Sequence, residues 1–525
     1  MTLTVSGTEA NRAQLEAIRG DVGPLRITVA HSFDQATAQM WLEEDYRFGS
    51  SAAAGTKNIT SLATLDAHFI NHPSPASDGF SYVTQNGYWT YEQLLTGSAN
   101  YVFGANDLTL QPTTPQDISA SFVTEIAAAA TVNSGSATPM ATLGLSSTSG
   151  LWVGRVVVLP YSFNNTARVA AFDSTTVTLQ SLNRTFTGNM AHANGVLAFW
   201  TTMTAMLSTA GAAANATSIT VSEAPPAQVV DGMHLLAIKY DAGSGMAFIQ
   251  RHKFGSTLTK SGTTINVSAP GINDAVVPGG YVIACPVFKT GNLCARTTYP
   301  EPAEGEAWAF ELDWTIPNVG GILPKTRFMK TMADYAAKGG ANIPFPSWAS
   351  FWGFEDHFGI QKDDQADAEL DFLEQWGGVE NGLETTSCAW HSNVGSAQSV
   401  TDTGLNALDR TQLWDEGLIT YARVGQGYSA YTDVDTGGCF SQYTGDRPAA
   451  MKRQAVWTRD TLIVYQDGFP MARFRGSWAS RRALRIHINA SLGGFDYLKA
   501  QQYPQSPAAL AASKAVLRSF KVWKR

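Results

Sequence analysis

The stretch Glu369–Glu374, read as ELDFLE within DAELDFLEQWGG, constrains the fold more than any other part of this chain. Charged and apolar residues alternate from Glu369 to Phe372, the period of a β-strand with one apolar face. On a regular strand Glu369 and Asp371 point to one side and Glu374 to the other. A single β-bulge between Asp371 and Glu374 absorbs the odd residue and returns Glu374 to the acidic side. Three carboxylates then crowd one sheet surface, where like charges repel and raise the proton affinity of at least one of them. Such a set can present an ionised and a protonated carboxyl side by side, as a retaining glycosidase requires of its nucleophile and general acid/base, roughly 5–5.5 Å apart. The same spacing fits a solvated sheet edge or a cation site, and the residues alone leave all three readings open.

Composition narrows the setting. The chain has 525 residues, enough for two to four domains, and a net charge of −8 from 36 basic and 44 acidic residues. No basic footprint for nucleic acid and no polybasic membrane signal is present. Only 15% of residues are charged, while Gly, Ala, Ser and Thr abound, as in β-rich extracellular or virion-type proteins. The opening MTLTVSGTEANRAQLEAIRG lacks the basic start and apolar core of a secretory signal, and no run of 18 apolar residues predicts a membrane span. Cytoplasmic residence, a trimmed signal, or release without one, as by phage lysis, are the routes this leaves. Cys285, Cys294, Cys388 and Cys439 lack metal-binding spacing; a Cys285–Cys294 bridge and four free thiols are both open.

Taken in order, residues 1–25 read as a helical arm, capped by Thr8 and ended by Gly20. Residues 26–112 read as strands and loops, with LRITVAHSF as a strand and YVFGANDLTLQ as two strands around a Gly104–Asp107 turn. His68 and His72 stand four apart in DAHFINHP, but Pro73 and the missing Glu after His68 argue against a metal site. In 113–290 charges thin out and an internal echo appears. GLWVGRVVVLPY, STTVTLQSL and NGVLAFW are answered by DGMHLLAIKY, GTTINVSAP and GGYVIACPVF, which predicts a duplicated small β-module for binding, spacing or assembly. Residues 291–525 regain charge and tryptophan. AWAFELDWTIP alternates, AMKRQAVWTRDTLIVYQDGFPMARF reads as a hairpin turning at Asp467-Gly468, and RRALRIHINASLGG and VLRSFKVWKR read as strands. Strands joined by short turns predict an all-β sandwich or jelly roll.

Several of these segments, in order, resemble glycoside hydrolase family 16, the laminarinase, agarase and carrageenase-like enzymes with a concanavalin-like jelly roll. IPFPSWASFW resembles the family's Trp-x-x-Phe-Trp strand, and ELDFLEQWG its bulged Glu-x-Asp-x-x-Glu motif. CAWH, AVWTRDTLIVYQDG, INASLGG and LRSFKVWKR follow like the family's later strands. The resemblance implies that 26–112 and 291–525 form one jelly roll interrupted at 113–290. An insertion whose ends lie close together costs little.

Carried across residue by residue, the resemblance implies Glu369 as nucleophile, Glu374 as general acid/base and Asp371 assisting between them. Trp348, Trp352 and Trp376 would offer faces to sugar rings, and His391 and Asn489 would contact substrate. Trp89, Tyr91 and Arg327 are further cleft candidates. No cofactor is implied; a structural calcium is compatible, with Asp363, Asp364 and Asp367 as an acidic turn. The implied partner is a polysaccharide, with other virion proteins or further copies of the chain as assembly partners. Departures from the family are Ala368 in place of its Gly before the first Glu, and Val456 in place of its Glu before the hairpin Trp457. The six-residue motif leans towards laminarin-like or galactan-like substrates. A non-catalytic carbohydrate-binding or structural tail protein is the alternative.

Overall fold

The computed structural model describes residues 2–4, 26–28, 32–51, 54–70, 98–119, 122–133, 140–158, 166–182, 197–240, 247–249, 257–269, 271–272, 275–288, 291–316, 331–337, 347–355, 368–378, 384–392, 423–424, 436–442, 450–459, 461–475, 483–492 and 506–525. The acidic strand, Ala368–Gly378, lies inside an eight-stranded antiparallel sheet. In order across that sheet stand Arg423–Val424, Thr436–Gln442, Glu384–Ser392, Ala368–Gly378, Ser347–Glu355, Leu484–Leu492, Asn292–Ala295 and Phe69–Ile70.

A second sheet packs against it. Its path runs Phe469–Arg475, Thr461–Gln466, Ala450–Thr458, Ala307–Thr315, Ala515–Lys524, Trp41–Phe48 and Lys57–Ile59, with Leu108–Leu110 and Tyr101–Phe103 added beside Ala515–Lys524. Aromatic rings fill the space between the sheets. Phe372 of the acidic strand stacks on Phe310 at 5.6 Å, and Phe351 meets Phe520 edge-on at 6.1 Å. One apolar cluster joins Tyr46, Phe48 and Leu108 from the early chain to Leu312, Leu373, Trp457 and Val522 from the late chain. The fold is therefore an all-β sandwich whose core is assembled from both sides of residues 113–290.

The hairpin expected at Asp467-Gly468 forms, with φ of 49° and 87° at the two turn residues, the primed geometry that follows strand twist. Within LRITVAHSF, the described residues Arg26–Thr28 form a strand, which pairs in parallel with Thr2–Thr4. Its end is instead helical. Ser32 and Gln35 form a reciprocal capping box that starts the helix Phe33–Thr37. Phe33 then plugs the outer face of the second sheet between Tyr465, at 5.5 Å, and Trp523, at 5.4 Å. The helix expected within 1–25 lies outside the described residues.

Residues 122–285 supply a separate nine-stranded sheet and a three-stranded one. Met140–Leu145 pairs with Thr176–Ser181, which pairs with Thr166–Phe172. Ser218–Thr220, Thr264–Val267 and Leu258–Ser261 repeat that order. Arg155–Val158 pairs with Leu197–Leu207, as His234–Tyr240 does with Tyr281–Cys285. Even the entry turns match: Gly154, at φ 90°, donates its N–H to Val169 O at 2.8 Å, and Gly232, at φ 87°, to Leu258 O at 2.9 Å. The two halves keep separate cores but join where Thr204–Leu207 pairs with Tyr281–Ala284. On the far face of that joint Leu510, from the helix Pro507–Ala512, packs with Leu236, Ile238 and Ile283.

The disulfide considered between Cys285 and Cys294 does not form. Neither cysteine is in a disulfide and both are buried: Cys285 is in the joint cluster of the insertion, and Cys294 is in the eight-stranded sheet. Among the described residues, no helix is long and apolar enough to cross a membrane.

Candidate active site

Asp371 pairs with Ala389 on one side and Trp352 on the other, while Glu374, three residues on, pairs with Ser387 and Ser350. Three steps along the acidic strand thus match two along each neighbour, which is the bulge the sequence predicts. The extra residue is taken up inside the molecule. Phe372 and Leu373 both point into the apolar core, each fully buried, instead of alternating. Two consecutive core side chains let Asp371 and Glu374 share the opposite face.

Register across the sheet sorts that face into three rungs. The first runs Arg485, Phe354, Glu369, His391 and Thr436. The middle one runs Cys294, His487, Trp352, Asp371 and Ala389. The third runs Asn292, Asn489, Ser350, Glu374 and Ser387. Glu369, Asp371 and Glu374 therefore occupy successive rungs, with His391 in register beside Glu369 and Asn489 one strand beyond Ser350 on the rung of Glu374. The strands also bring Trp348 and Trp376 into the sheet, at the Ser347–Glu355 and Ala368–Gly378 positions. The side chains of Glu369, Trp348, Trp376 and His391 lie outside the described residues. Trp89, Tyr91, Arg327 and the Asp363–Asp367 turn do so entirely.

The described side chains of the middle and third rungs are closely enclosed. Asp371 is 2% exposed, Trp352 5%, and Ser350, Asn489 and His487 are likewise buried, whereas Glu374 is half-buried. So enclosed, the Asp371 carboxyl has little contact with water. Trp352 and Asn489, both singled out in the sequence as substrate contacts, bond to each other: the indole Nε1–H donates to Asn489 Oδ1 at 2.7 Å. One face of the same indole stacks on the His487 ring, centroids 4.5 Å apart and planes at 28°. His487 Nε2 in turn lies 3.7 Å from Cys294 Sγ.

His487, Cys294 and Ser350 were not found by reading motifs. Period-two counting back from Asn489 along RIHINA does place His487 on the same face, one rung down, and is the signal that finds it. Among the described residues, no group of three or more His, Cys, Asp or Glu side chains is arranged to hold a metal ion.

No protein-family model and no curated protein matches the chain. Among solved structures it is similar to a κ-carrageenase from Pseudoalteromonas carrageenovora in complex with a κ-carrageenan oligotetrasaccharide, at 12% identity and a TM-score of 0.26 over 48% of this chain and 73% of that one. It is similar also to an endo-β-1,3-glucanase from Pyrococcus furiosus, at 14% identity and a TM-score of 0.27 over 47% and 69%. An endo-1,3-β-glucanase from Streptomyces sioyaensis aligns over 60% of this chain and 92% of that one, at 12% identity and a TM-score of 0.29. At likenesses this distant, the register of the strands themselves carries the account of the site.

Proposed function

We propose that this chain is an endo-acting, retaining glycoside hydrolase of the family 16 kind, cleaving a β-linked polysaccharide of glucan or galactan type by double displacement. The observation that carries the reading is the bulge between Asp371 and Glu374, which sets three acidic positions on successive rungs of one face. In the first step Glu374, protonated, gives its proton to the leaving glycosidic oxygen while Glu369 attacks the anomeric carbon. In the second, Glu374 takes a proton from water, which displaces Glu369 from the glycosyl-enzyme. Asp371, enclosed between them, shares or holds a proton and keeps the affinities of its neighbours apart. Trp348, Trp376 and His391 are assigned to substrate on the strength of their strand positions and the sequence resemblance.

In this reading, 26–112 and 291–525 form the catalytic sandwich, supported by a shared apolar core that joins them. Residues 113–290 form an inserted tandem β-module serving binding, spacing or assembly, supported by the repeated pairings and the separate cores of its halves. The low charge content and this large insertion support a virion or extracellular depolymerase acting on a bacterial exopolysaccharide or capsule. The test is release of reducing ends from a panel of β-glucans, agars, carrageenans and bacterial exopolysaccharides. The wild type should cleave at least one, and Glu369→Gln should not. No release from any member would favour a non-catalytic carbohydrate-binding protein.

A further inference from the structure

His487 lies on the middle rung, two residues before Asn489, and the double-displacement mechanism gives it no proton to move. Its geometry gives it another task. Trp352 is held at two places: its Nε1–H is fixed by Asn489 at 2.7 Å, and its ring plane is fixed by the imidazole stacked on it at 4.5 Å and 28°. A hydrogen bond to one edge alone leaves an indole free to tilt about that bond; a flat partner against its face removes the tilt. His487 is itself set by the next strand, with the Cys294 thiol 3.7 Å from its Nε2. On its other side Trp352 is the direct cross-strand neighbour of Asp371, the most enclosed carboxyl described in the trio, at 2% exposure. Side chains directly opposite on an antiparallel pair are in reach of each other.

We propose that His487 is a positioning residue for the acidic strand: its ring fixes the plane of Trp352, and Trp352, so held, closes the space beside Asp371. The kinetic consequence rests on the hydrolase reading above; the structural consequence does not. Water admitted beside Asp371 favours its ionised form and removes it as a proton-holding neighbour of the two glutamates. The other titratable groups in register near Asp371 are Glu369 and Glu374 on its own strand, Arg485 on the strand of His487, and His391 on the strand opposite. None of these is altered by changing His487.

The test compares His487→Leu, which roughly keeps the volume but not the flat face, with His487→Phe, which keeps the face without ring nitrogens. The carbonyl stretch of a protonated carboxylic acid is assigned to Asp371 by its loss in Asp371→Asn, in infrared difference spectra of the full chain. The proposal expects that band in the wild type and in His487→Phe, and its loss or marked weakening in His487→Leu. On a cleaved polysaccharide, kcat should fall about tenfold or more in His487→Leu with KM changed less than about threefold, and His487→Phe should restore most of kcat. A band unchanged in His487→Leu, or absent from the wild type, overturns the proposal. So does a His487→Phe variant as impaired as His487→Leu, which would mean that the ring nitrogens matter and the plane does not. If no polysaccharide is cleaved, the hydrolase reading falls, while the infrared comparison still decides the role of His487.

Discussion

Glu374 stands one rung from Asp371, on the same face of the sheet, because Phe372 and Leu373 both turn inward between them. The apolar core therefore sets the spacing of the acidic residues. Inserting one alanine between Leu373 and Glu374 would put that alanine on the rung of Ser350 and Ser387 and carry Glu374 towards the core, where an unpaired carboxylate is costly. The expected outcome is loss of polysaccharide cleavage together with a fall in melting temperature. Leu373→Ala, which keeps the chain length, should lose about 2–5 kcal/mol of stability but retain measurable turnover at low temperature. Paired activity and melting measurements on the two variants separate the position of the carboxylate from the packing beneath it.

Glu44 makes a second, pH-dependent prediction. Burial alone would raise its carboxyl, but hydrogen bonds from the Lys57 ammonium, at 2.9 Å, and the Tyr299 hydroxyl, at 2.8 Å, outweigh it and hold the group below 4.5. A depressed folded-state value contributes stability that is present above the unfolded value and lost as pH falls through the folded one. Glu44→Gln should therefore lower the melting temperature at neutral pH and flatten its decline below about pH 4.5. The neutral-pH cost should be about 1–2 kcal/mol, discounted because Lys57 is partly in solvent. Melting curves for wild type and variant across the acid range check both parts.

Gly154 and Gly232 offer a matched pair. Both sit at positive φ, where any Cβ is strained, at 90° and 87°. A Cβ at Gly154 would also meet Ala205 O at 3.0 Å and Thr204 Cγ2 at 3.2 Å, whereas one at Gly232 meets nothing closer than Gln116 Nε2 at 3.6 Å. Gly154→Ala should accordingly cost more than Gly232→Ala, by about 1 kcal/mol, since each pays the backbone strain and only the first adds crowding. Chemical denaturation of the two variants measures the difference.

Leu510 ties the C-terminal helix to the insertion, and Ala515–Lys524 follows that helix directly into the second sheet of the sandwich. Leu510→Ala should loosen this tie by about 2 kcal/mol, near the low end for a Leu→Ala change because Leu510 is 8% exposed. Hydrogen exchange should quicken in Tyr281–Cys285 and His234–Tyr240, while the acidic strand keeps its protection.

What could be read from the sequence follows from the range of the interactions. The acidic bulge was legible because Asp-Phe-Leu-Glu states its own pattern: two core residues between two polar ones. The Asp467-Gly468 turn was legible because both residues tolerate positive φ. The short helix at Phe33 was misread because its hydrophobic run fits a strand, and the Ser32–Gln35 cap that overrides it is a local polar signal inside that run. The Trp352–Asn489 bond joins residues 137 apart, and no motif in either segment announces it. Trp352 reads equally as a sugar platform or as core, and only the His487 ring laid against it and its 5% exposure show how enclosed it is. The joining of the two insertion units through Leu197–Leu207 and Tyr281–Cys285 was likewise hidden, since it depends on pairing strands about 80 residues apart.

The central claim is that Glu369 and Glu374 act by double displacement, and the anomeric form of the first product tests it most directly. Proton NMR of the products, recorded in the first minutes of cleavage of a susceptible β-linked polysaccharide, should show the β-anomer at the new reducing end, followed by slow mutarotation. The same spectra for Glu374→Gln should show turnover reduced about a hundredfold or more. An α-anomer appearing first would require a single displacement with the carboxylates further apart. That result, or full activity in Glu374→Gln, would contradict the account.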